Sequence, residues 1–420
     1  KPAPHPEATG SPSEMAGVGD IVIVGAGIAG LATALGLHRL GLRSLVLESW
    51  DHLRASGFAL SVWPNAWRAL DALGIAESLR RQHVQLDGIV STASGDVTSQ
   101  ITFKSQAKSG DPEEVRCVRR DLLLKALASE LPQGTIRFSS KVVLIEEQGN
   151  FKLLHLADGS TLKAKVLVGC DGGNSVVANW LGLRKPAYAG RSASRGIAEF
   201  PDGHGFKPNF LQCMGDGFRS GFLPCDEKHV YWFFSYSTKD KELEDDMVKL
   251  KQYAWSKLQK APKEVLQVVE RTEPTAMISS HLRFRWPWEL LWGGIRRGNV
   301  CLAGDALHAM TPDLGQGGCS ALEDAVTLAR CLGEVFLGKP PGGGDKGELE
   351  AIEKGLDKYT RERKWRSFEL VTTSYVVGLI QQSDGTVMTF LRDKCLASLM
   401  TNKLLRMADF DCGNLSPPKV

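Results

Sequence analysis

The sequence predicts an α/β fold: a Rossmann-like domain that carries an inserted β-rich domain and continues into a C-terminal helical segment. Three observations predict it. A strand, a glycine turn, a helix and a second strand follow one another in residues 20–48, residues 191–237 are β-rich and aromatic, and a Rossmann-like pattern returns at residues 298–305. A chain of 420 residues is also too long for one typical core, so two subdomains are expected.

The composition is that of an ordinary globular protein. The formal net charge is +3 and no dense Lys/Arg block occurs, so nucleic acid is not an expected partner. The nine cysteines are scattered, without a CxxC pair or ligand-like histidine spacing, which predicts no metal site and reduced thiols in an intracellular, cytoplasmic compartment. Residues 21–37 are uncharged, but their glycine spacing argues against a signal peptide, and no other run is long enough for a transmembrane segment.

The first residues of the chain show no periodicity. A proline-rich stretch precedes Met15, and we expect residues 1–17 to form a disordered tail. Two origins stay open: residues added for expression, or what remains of a longer targeting segment. The second origin implies a plastid location.

The glycine turn near the start has the spacing that a dinucleotide requires. Gly25 allows the tight turn, Gly27 lets the backbone approach a pyrophosphate, and Gly30 lets the helix pack closely on the strand. The helix that begins at Ile28 and Ala29 directs free N–H groups and its positive dipole end at the phosphates.

An acidic residue closes the second strand. This strand covers residues 42–47, and Glu48 follows at its end. A carboxylate there can accept both ribose hydroxyls and repels a 2′-phosphate. The complete unit therefore predicts a bound adenine dinucleotide.

The region after this unit alternates helices and strands. A helix is predicted over residues 63–73, stopped by Gly74, and a second helix starts at Arg119–Arg120 and ends before Pro132. Strands are predicted near 86–103, in a hairpin of 141–147 and 151–157, and in a buried run at 165–170 that leads to Asp171 and Gly172.

The second half begins with the aromatic β-rich stretch. Tyr, Trp and Phe on alternating faces of residues 230–236 predict a sheet that lines a pocket, and a plain sandwich core is the alternative for each aromatic. A helix is expected at 250–259, a surface loop at 338–347, and helix onwards to about Met407.

A second glycine-rich pattern occupies residues 304–325. A strand delivers Asp305 at its end, where a carboxylate can bond a ribose or ribityl hydroxyl; an N-cap or turn former is the alternative. Pro312 and the following glycines form a loop whose N–H groups open a helix. For His308 and Glu323, core packing and the helix surface are sufficient explanations.

These motifs resemble those of the FAD-dependent monooxygenases called group A, which have the p-hydroxybenzoate hydroxylase fold. Asp305 lies in the family's second FAD motif, Asp171 and Gly172 lie in its DG motif, and Ala59 lies in its strand-to-helix segment beside the flavin. Arg120 matches the arginine that reaches the flavin phosphates, with Arg119 as the alternative in a shifted register. The matches cover about residues 20–330 in family order.

The resemblance and the glycine turn together predict one set of cofactor-binding residues. A helix start near the isoalloxazine edge stabilises the negative charge of reduced flavin. The predicted set is Gly25, Gly27, Ile28, Ala29, Gly30, Glu48, Ala59, Arg120, Asp171, Gly172, Asp305, Pro312, Gly315, Gln316, Gly317 and Gly318.

The sequence of residues 315–325 is similar to that of plant members of the family, the zeaxanthin-epoxidase-like and salicylate-hydroxylase-like monooxygenases. The extra C-terminal domain of zeaxanthin epoxidase is not seen. Two positions depart from the family pattern. Ala178 stands where the DG motif usually ends in Arg, which bears on how NAD(P)H binds, and Cys319 stands where many members have Asn.

The resemblance implies an FAD-dependent, NAD(P)H-consuming monooxygenase. NADPH or NADH reduces the flavin from a surface groove, O₂ is trapped as the C4a-hydroperoxide, and one oxygen atom passes to a small, aromatic or polycyclic plant-type metabolite. The expected assembly is a monomer or homodimer, and no catalytic side chain is named. A halogenase, a non-oxygenating reductase or cyclase, and a non-catalytic FAD-binding regulatory protein remain alternatives.

The resemblance also implies the domain organisation, a Rossmann-like FAD-binding domain with an inserted β-rich substrate domain and a C-terminal helical segment. The FAD-binding domain is expected to be discontinuous and the substrate domain to be inserted in two pieces. The predicted bounds are 18–84, 108–185 and 280–370 for the FAD-binding domain, 85–107 and 186–279 for the substrate domain, and 371–420 for the helical segment.

Overall fold

A computed structural model of the chain describes most of its residues. The described residues are 20–54, 57–93, 95–103, 114–215, 217–237, 246–338, 344–382 and 406–415. The predicted tail, residues 1–17, lies outside them.

The strands of the described residues are numbered here in chain order. They are β1 Ile21–Val24, β2 Leu45–Leu47, β3 Ala59–Val62, β4 Gly88–Ala93, β5 Asp96–Thr102, β6 Arg116–Arg119, β7 Ile136–Arg137, β8 Val142–Gln148, β9 Phe151–Leu156, β10 Thr161–Ala164, β11 Val166–Gly169, β12 Ala187–Glu199, β13 Asn209–Gly215, β14 Phe218–Pro224, β15 His229–Tyr236, β16 Met277–Phe284, β17 Arg296–Arg297 and β18 Val300–Leu302.

The helices are numbered in the same way. They are α1 Ile28–Arg39, α2 Pro64–Leu73, α3 Ala76–Gln82, α4 Arg120–Ser129, α5 Val176–Trp180, α6 Met247–Lys257, α7 Lys263–Arg271, α8 Pro287–Trp292, α9 Asp305–His308, α10 Gly317–Phe336 and α11 Gly344–Gln382.

A six-stranded sheet has the order β17-β18-β11-β1-β2-β7. Strands β2, β1, β11 and β18 run parallel to one another, as apolar residues buried on both faces lead us to expect. Their carboxyl ends therefore meet at one edge of the sheet, which we call the carboxyl edge. In open α/β sheets, ligands bind in the crevice outside this edge. The α/β fold predicted from the sequence is confirmed.

A seven-stranded sheet has the order β16-β12-β15-β14-β13-β4-β5. It joins two separate stretches of chain, because β4 pairs with β13 in parallel while the later strands form antiparallel ladders. The bound predicted between residues 279 and 280 falls inside β16, which stays in this sheet as far as Phe284.

The two faces of this sheet bury different aromatic residues. Trp232, Phe234 and Tyr236 pack against helices α6 and α7. Phe210 and Tyr231 pack instead with the core of the first domain, so they face the carboxyl-edge side of the molecule. The aromatic residues on the face covered by α6 and α7 are core residues, as the alternative prediction expected. Only the opposite face, which carries Phe210 and Tyr231 and is called the inner face below, is available to a pocket.

Smaller elements follow the sequence expectations closely. The predicted hairpin is formed by β8 and β9, with Gln148 opposite Phe151 and Gly149 at φ +60° in its turn. Helix α2 starts with Pro64 and ends at Gly74, which has φ +76°. A short pair, β3 with β6, lies beside the larger sheets.

Three expectations about the second half need correction. Helix α7 was not predicted, although three valines at helical spacing are buried on it: Val265, Val268 and Val269. The loop expected at 338–347 ends earlier, because α11 already begins at Gly344; residues 339–343 lie outside the described part. Helix α11 is described as far as Gln382, residues 383–405 lie outside the described part, and residues 406–407 are helical, in agreement with a helix that ends near Met407. The correction concerns the helical segment predicted over 371–420, because residues 408–415 are not helical.

Long helix α11 packs along α10 and closes the first domain. Tyr359 donates its hydroxyl to the carbonyl of Leu302 at 2.8 Å, so α11 contacts the end of β18 directly. Within the described part of the chain, no helix combines the length and apolar character needed to span a bilayer.

Candidate cofactor and active site

The glycine turn after β1 shows why each glycine is needed. Gly25 has φ +102°, and a Cβ there would lie 2.5 Å from the carbonyl oxygen of Cys170. A Cβ on Gly30 would overlap the carbonyl of Gly25. A Cβ on Gly27, by contrast, would meet no atom within 4 Å. Two glycines are thus required by the protein itself, and the open space at Gly27 is where a ligand can approach the backbone.

Helix α1 starts directly on this turn. Gly27 is its N-cap and offers no side-chain cap, so the first N–H groups are not satisfied by a side chain. Ile28 and Ala29 are buried on the helix. A Cβ on Gly304, which has φ +62°, would lie 2.7 Å from the Ala29 Cβ. The two glycine motifs of the sequence therefore touch at the carboxyl edge.

Glu48 follows β2 at the same edge. Its carboxylate accepts the N–H of Ala26 at 2.8 Å and the N–H of Trp50 at 3.0 Å. The side chain is only half-buried, and a carboxylate has about four acceptor positions. Ser49 Oγ donates to the same carboxylate at 3.1 Å. Glu48 is thus held against the glycine turn and keeps an acceptor position on Oε2 for a ribose hydroxyl.

Asp171 and Gly172 follow β11. Asp171 Oδ2 accepts the N–H of Val176 at 2.7 Å, whereas Oδ1 is buried with no hydrogen-bond partner. Burial raises the pKa of this carboxyl. Gly172 has φ +76°, and a Cβ on it would meet nothing within 4 Å. Ala178, which stands where the DG motif usually ends in Arg, is buried, and its N–H donates to Ser175 Oγ.

Arg120 differs sharply from its neighbour. Arg119 forms an ion pair with Asp121 at 2.9 Å. Arg120 starts α4, its Nε is buried without a partner, and no carboxylate lies within ion-pair distance of it among the described residues. Burial lowers the pKa of its guanidinium, opposed by the charge of Asp305. The structure therefore favours Arg120 over Arg119 as the residue that meets an anionic ligand.

Asp305 lies at the end of β18 and is exposed. It is the first residue of α9, whose N-cap is Gly304 without a side-chain cap, so Asp305 is not the N-cap that the alternative proposed. Its carboxylate is free to accept from a ligand hydroxyl, on the same side of the protein as Arg120.

The loop of residues 312–318 lies against β3, the strand that begins with Ala59. Gly315 has φ +64°, and a Cβ on it would lie 2.5 Å from Ser61 Oγ. A Cβ on Gly318 would overlap Leu60, and a Cβ on Gly317 would have only Met310 within 4 Å. Pro312 is exposed at the start of the loop. Gly315 and Gly318 must therefore lack a side chain, because they lie against β3. Gly317 has open space beside it.

Gln316 is turned into the protein. Its side chain is buried, and Oε1 accepts from Asn65 Nδ2 at 2.9 Å. Its Nε2 is buried and has no hydrogen-bond partner among the described residues, so this amide as well as the backbone of Gln316 can meet a cofactor. Cys319, next along, is buried and its thiol lies 3.5 Å from the carbonyl of Ser61.

Three functional candidates were missed in the sequence: Arg191, Arg219 and Asp313. Asp313 pairs with Arg191 at 2.8 Å and with Arg219 at 3.2 Å, and all three side chains are buried. They join strands β12 and β14 to the 312–318 loop. Only a tertiary contact pairs residues so distant in sequence; the one local signal was a carboxylate inside a glycine-rich loop.

The residues after this loop form a second buried polar network. Glu323, expected on the helix surface, is fully buried, and that expectation was wrong. His308 is packed in the core as expected, with Nε2 2.7 Å from Asp324 Oδ2. Burial alone would raise the pKa of both acids, but their partners hold the pKa values below the ordinary ones: Arg363 and then Arg366 for Glu323, and His308 and then Arg363 for Asp324.

Taken together, these residues fit a flavin dinucleotide. The carboxyl edge presents an open backbone at Gly27, an unpaired cation at Arg120, and acceptors at Glu48 and Asp305. Helix starts, a cation and hydroxyl acceptors are the groups that a pyrophosphate with two polyol chains requires.

Comparison with known proteins agrees with this geometry. The FAD binding domain family matches residues 19–374. Monooxygenase 2 of Arabidopsis thaliana is 52% identical over 410 residues, covering 96% of this chain and 100% of that protein. Monooxygenase 1 of the same plant is 37% identical, with 94% and 99% covered.

A solved structure shows the same fold. Klebsiella pneumoniae HpxO in complex with FAD and uric acid superposes with a TM-score of 0.79 at 24% identity, covering 94% of this chain and 97% of that one. The chain therefore belongs to the FAD binding domain family, and it is an FAD-dependent monooxygenase of group A with the p-hydroxybenzoate hydroxylase fold.

Proposed function

We propose that this monooxygenase uses NADPH or NADH to insert one oxygen atom from O₂ into a small, aromatic or polycyclic plant metabolite. One observation carries the proposal. The 312–318 loop lies between the carboxyl edge and the inner face of the seven-stranded sheet, since Asp313 is paired with Arg191 and Arg219 of that sheet. A flavin held at the edge is thereby brought next to a surface that can hold a substrate.

The sixteen predicted residues are proposed as the FAD contacts. The α1 start and Arg120 bind the pyrophosphate, Glu48 accepts from the adenosine ribose, and Asp305 accepts from the ribityl chain. The N–H groups at the start of α10 stabilise negative charge on the reduced ring, as helix N-termini do. Bound FAD supplies the electron transfer and the reaction with O₂.

The substrate surface is proposed on the inner face of the sheet. Phe210 and Phe233 lie 6.4 Å apart, ring to ring, with Gly221 between them and Tyr231 nearby on the same face. A surface of this kind excludes water and suits a flat apolar ligand. The fold of HpxO, whose solved complex holds uric acid, accommodates a planar heteroaromatic molecule.

The finer organisation follows the same reasoning. We propose the domain bounds given above, apart from the continuation of β16 to Phe284, with a monomer or homodimer as the working assembly. A cytoplasmic or plastid location is proposed as well. The eight described cysteines are free thiols, which is usual in reducing compartments.

Anaerobic stopped-flow measurement tests the function. Purified holoenzyme is mixed with NADPH or NADH, with and without a panel of plant aromatics, alkaloids and isoprenoids, and bleaching of the flavin absorbance is followed. We expect one compound class to accelerate bleaching. In a separate aerobic turnover of that compound under ¹⁸O₂, we expect one ¹⁸O atom in the product and the other in water. A ligand that accelerates reduction without label in the product would support the reductase or cyclase alternative. Chlorinated product in the presence of halide would support the halogenase.

A further inference from the structure

Two consecutive acids of helix α10, Glu323 and Asp324, are fully buried. Two adjacent carboxylates without solvent are costly unless each is paired and hydrogen-bonded. Their partners therefore show what they are there for. Some of these partners belong to, or connect to, the two parts of the chain proposed to face FAD: the 312–318 loop and the residues around Asp305.

Glu323 reaches the 312–318 loop through one amide. Its Oε1 accepts from Asn65 Nδ2 at 2.5 Å, and the same Nδ2 donates to Gln316 Oε1 at 2.9 Å. Asn65 lies in the first turn of α2, beside β3. The carboxylate therefore fixes an amide that in turn fixes Gln316, the N-cap residue of α10.

Asp324 reaches the other segment directly. Its Oδ2 accepts the backbone N–H of Gly304 at 2.8 Å and lies 2.7 Å from His308 Nε2. Gly304 immediately precedes Asp305. The two acids thus hold opposite ends of the 304–318 segment: Asp324 binds Gly304 and His308 directly, and Glu323 acts on Gln316 through Asn65.

Two arginines of α11 complete the network. Arg363 Nη1 lies 2.6 Å from Glu323 and its Nε 2.6 Å from Asp324, and Arg366 Nη2 lies 2.8 Å from Glu323. Two carboxylates face two guanidinium groups, so the charges of these four side chains cancel. Without the arginines, the two negative charges would weaken the positive potential at the start of α10. The effect would be strong because the medium between them has a low dielectric constant.

We propose that Glu323, Asp324, Arg363 and Arg366 are positioning residues that hold the flavin-facing segment and cancel each other's charge, so that the positive end of α10 acts unopposed on reduced flavin. This inference rests on the proposed placement of FAD at the carboxyl edge. None of the four residues is assigned a contact with the cofactor.

Two variants of opposite charge test the proposal: E323Q and R366M. Each holoenzyme is equilibrated with a reference dye, and the ratio of reduced to oxidised flavin is measured. E323Q removes a negative charge, so we expect that ratio to rise about tenfold; R366M leaves Glu323 under-compensated, so we expect it to fall about tenfold. Tenfold corresponds to about 30 mV for a two-electron couple.

An ion pair between the same two helices provides the matched control. Arg330 of α10 pairs with Glu362 of α11 at 2.5 Å, and it is half-exposed. R330M and E362Q break a contact between the same helices without touching the 304–318 segment, so we expect the ratio to stay within about twofold of the parent enzyme because exposed pairs are weak.

The outcomes are distinct. Shifts of the same sign in E323Q and R366M, or shifts no larger than those of the control pair, would overturn the proposal, because a purely structural loss has no reason to depend on the sign of the charge. If R366M does not fold, R366K and E323Q still decide: R366K should restore the parental ratio. Failure of the proposed function would show differently, as a parent holoenzyme that forms no ¹⁸O-labelled product with any compound of the panel, whatever the flavin ratios of the variants.

Discussion

At the residue scale, the proposed FAD site depends on a glycine with open space beside it and on an arginine that has no carboxylate partner among the described residues. Gly27 and Gly30 belong to the same turn, but only the first has open space where a Cβ would stand. Arg119 and Arg120 are neighbours, but only the first has a carboxylate partner among the described residues. Both contrasts provide matched pairs of substitutions.

Gly27→Ala and Gly30→Ala should separate binding from folding. Gly27 has φ −78°, which alanine tolerates, so G27A should unfold like the parent while FAD binds at least about tenfold more weakly. G30A places a Cβ on the carbonyl of Gly25 and should destabilise the apoprotein by about 1–3 kcal/mol. Urea unfolding of the apoprotein and fluorescence titration with FAD measure the two effects. Unchanged FAD affinity in G27A would contradict the assignment of the open space to a pyrophosphate.

Arg120→Met should weaken FAD binding by about tenfold to a hundredfold, since a hydrogen bond to a charged group contributes about 1.5–3 kcal/mol. Arg119→Met removes an ion pair at the protein surface and should change the affinity less than about threefold. The dissociation constants are compared by titrating apoprotein with FAD. Equal losses in the two variants would show that Arg120 has no special role.

At the scale of elements, buried charges join segments that are distant in sequence. Asp313 ties the 312–318 loop to strands β12 and β14, and the Glu323–Asp324 pair ties α10 to α11. In both cases the partners are buried, so removal of one charge leaves the remaining buried charges under-compensated.

Asp313→Asn should destabilise the protein by about 3–5 kcal/mol, because Arg191 and Arg219 lose their shared carboxylate. Asp409→Asn, which breaks an exposed pair with Arg68, should cost less than about 1 kcal/mol. Urea unfolding followed by tryptophan fluorescence gives both values. A D313N loss no greater than that of D409N would refute the structural role of the pair.

Stability should fall in acid through the buried carboxyls. The pKa values of Glu323 and Asp324 are lowered in the folded protein, so their contribution is present above the unfolded pKa values, 4.5 and 3.8, and is lost as the pH falls through the folded values. The gap in unfolding free energy between parent and E323Q should therefore narrow as pH falls below about 4.5. A gap that is constant from pH 7 to pH 3 would contradict the shift.

At the scale of the whole molecule, binding at the carboxyl edge couples to the stability of the fold. The proposed contacts come from β1, β2, β11, β18 and α4, which are far apart in sequence, so FAD should stabilise only the folded chain. At 100 times its dissociation constant, FAD should add about 2.7 kcal/mol to the unfolding free energy. Thermal unfolding with and without FAD measures this, and R120M should show the smaller gain at equal FAD concentration.

The fold as a whole also shows which features could be predicted from the sequence. The strand–turn–helix unit was predicted because its chemistry is local: the apolar strand, the three glycines and Glu48 all lie within residues 21–48. Helix α2 and the β8–β9 hairpin carried their own start and stop signals. Helix α7 was not predicted, although the spacing of its three buried valines is visible in the sequence.

By itself, the sequence determined the α/β class, the family and the segments that would converge on FAD, because motif glycines and strand-end acids carry local steric requirements. Only the tertiary structure decided which charges are paired. Glu323 looked like a surface residue because nothing nearby in sequence neutralises it, and its partners arrive from 40 residues downstream and 258 residues upstream. Burial of a charge depends on what packs over it, and that is a property of the folded chain.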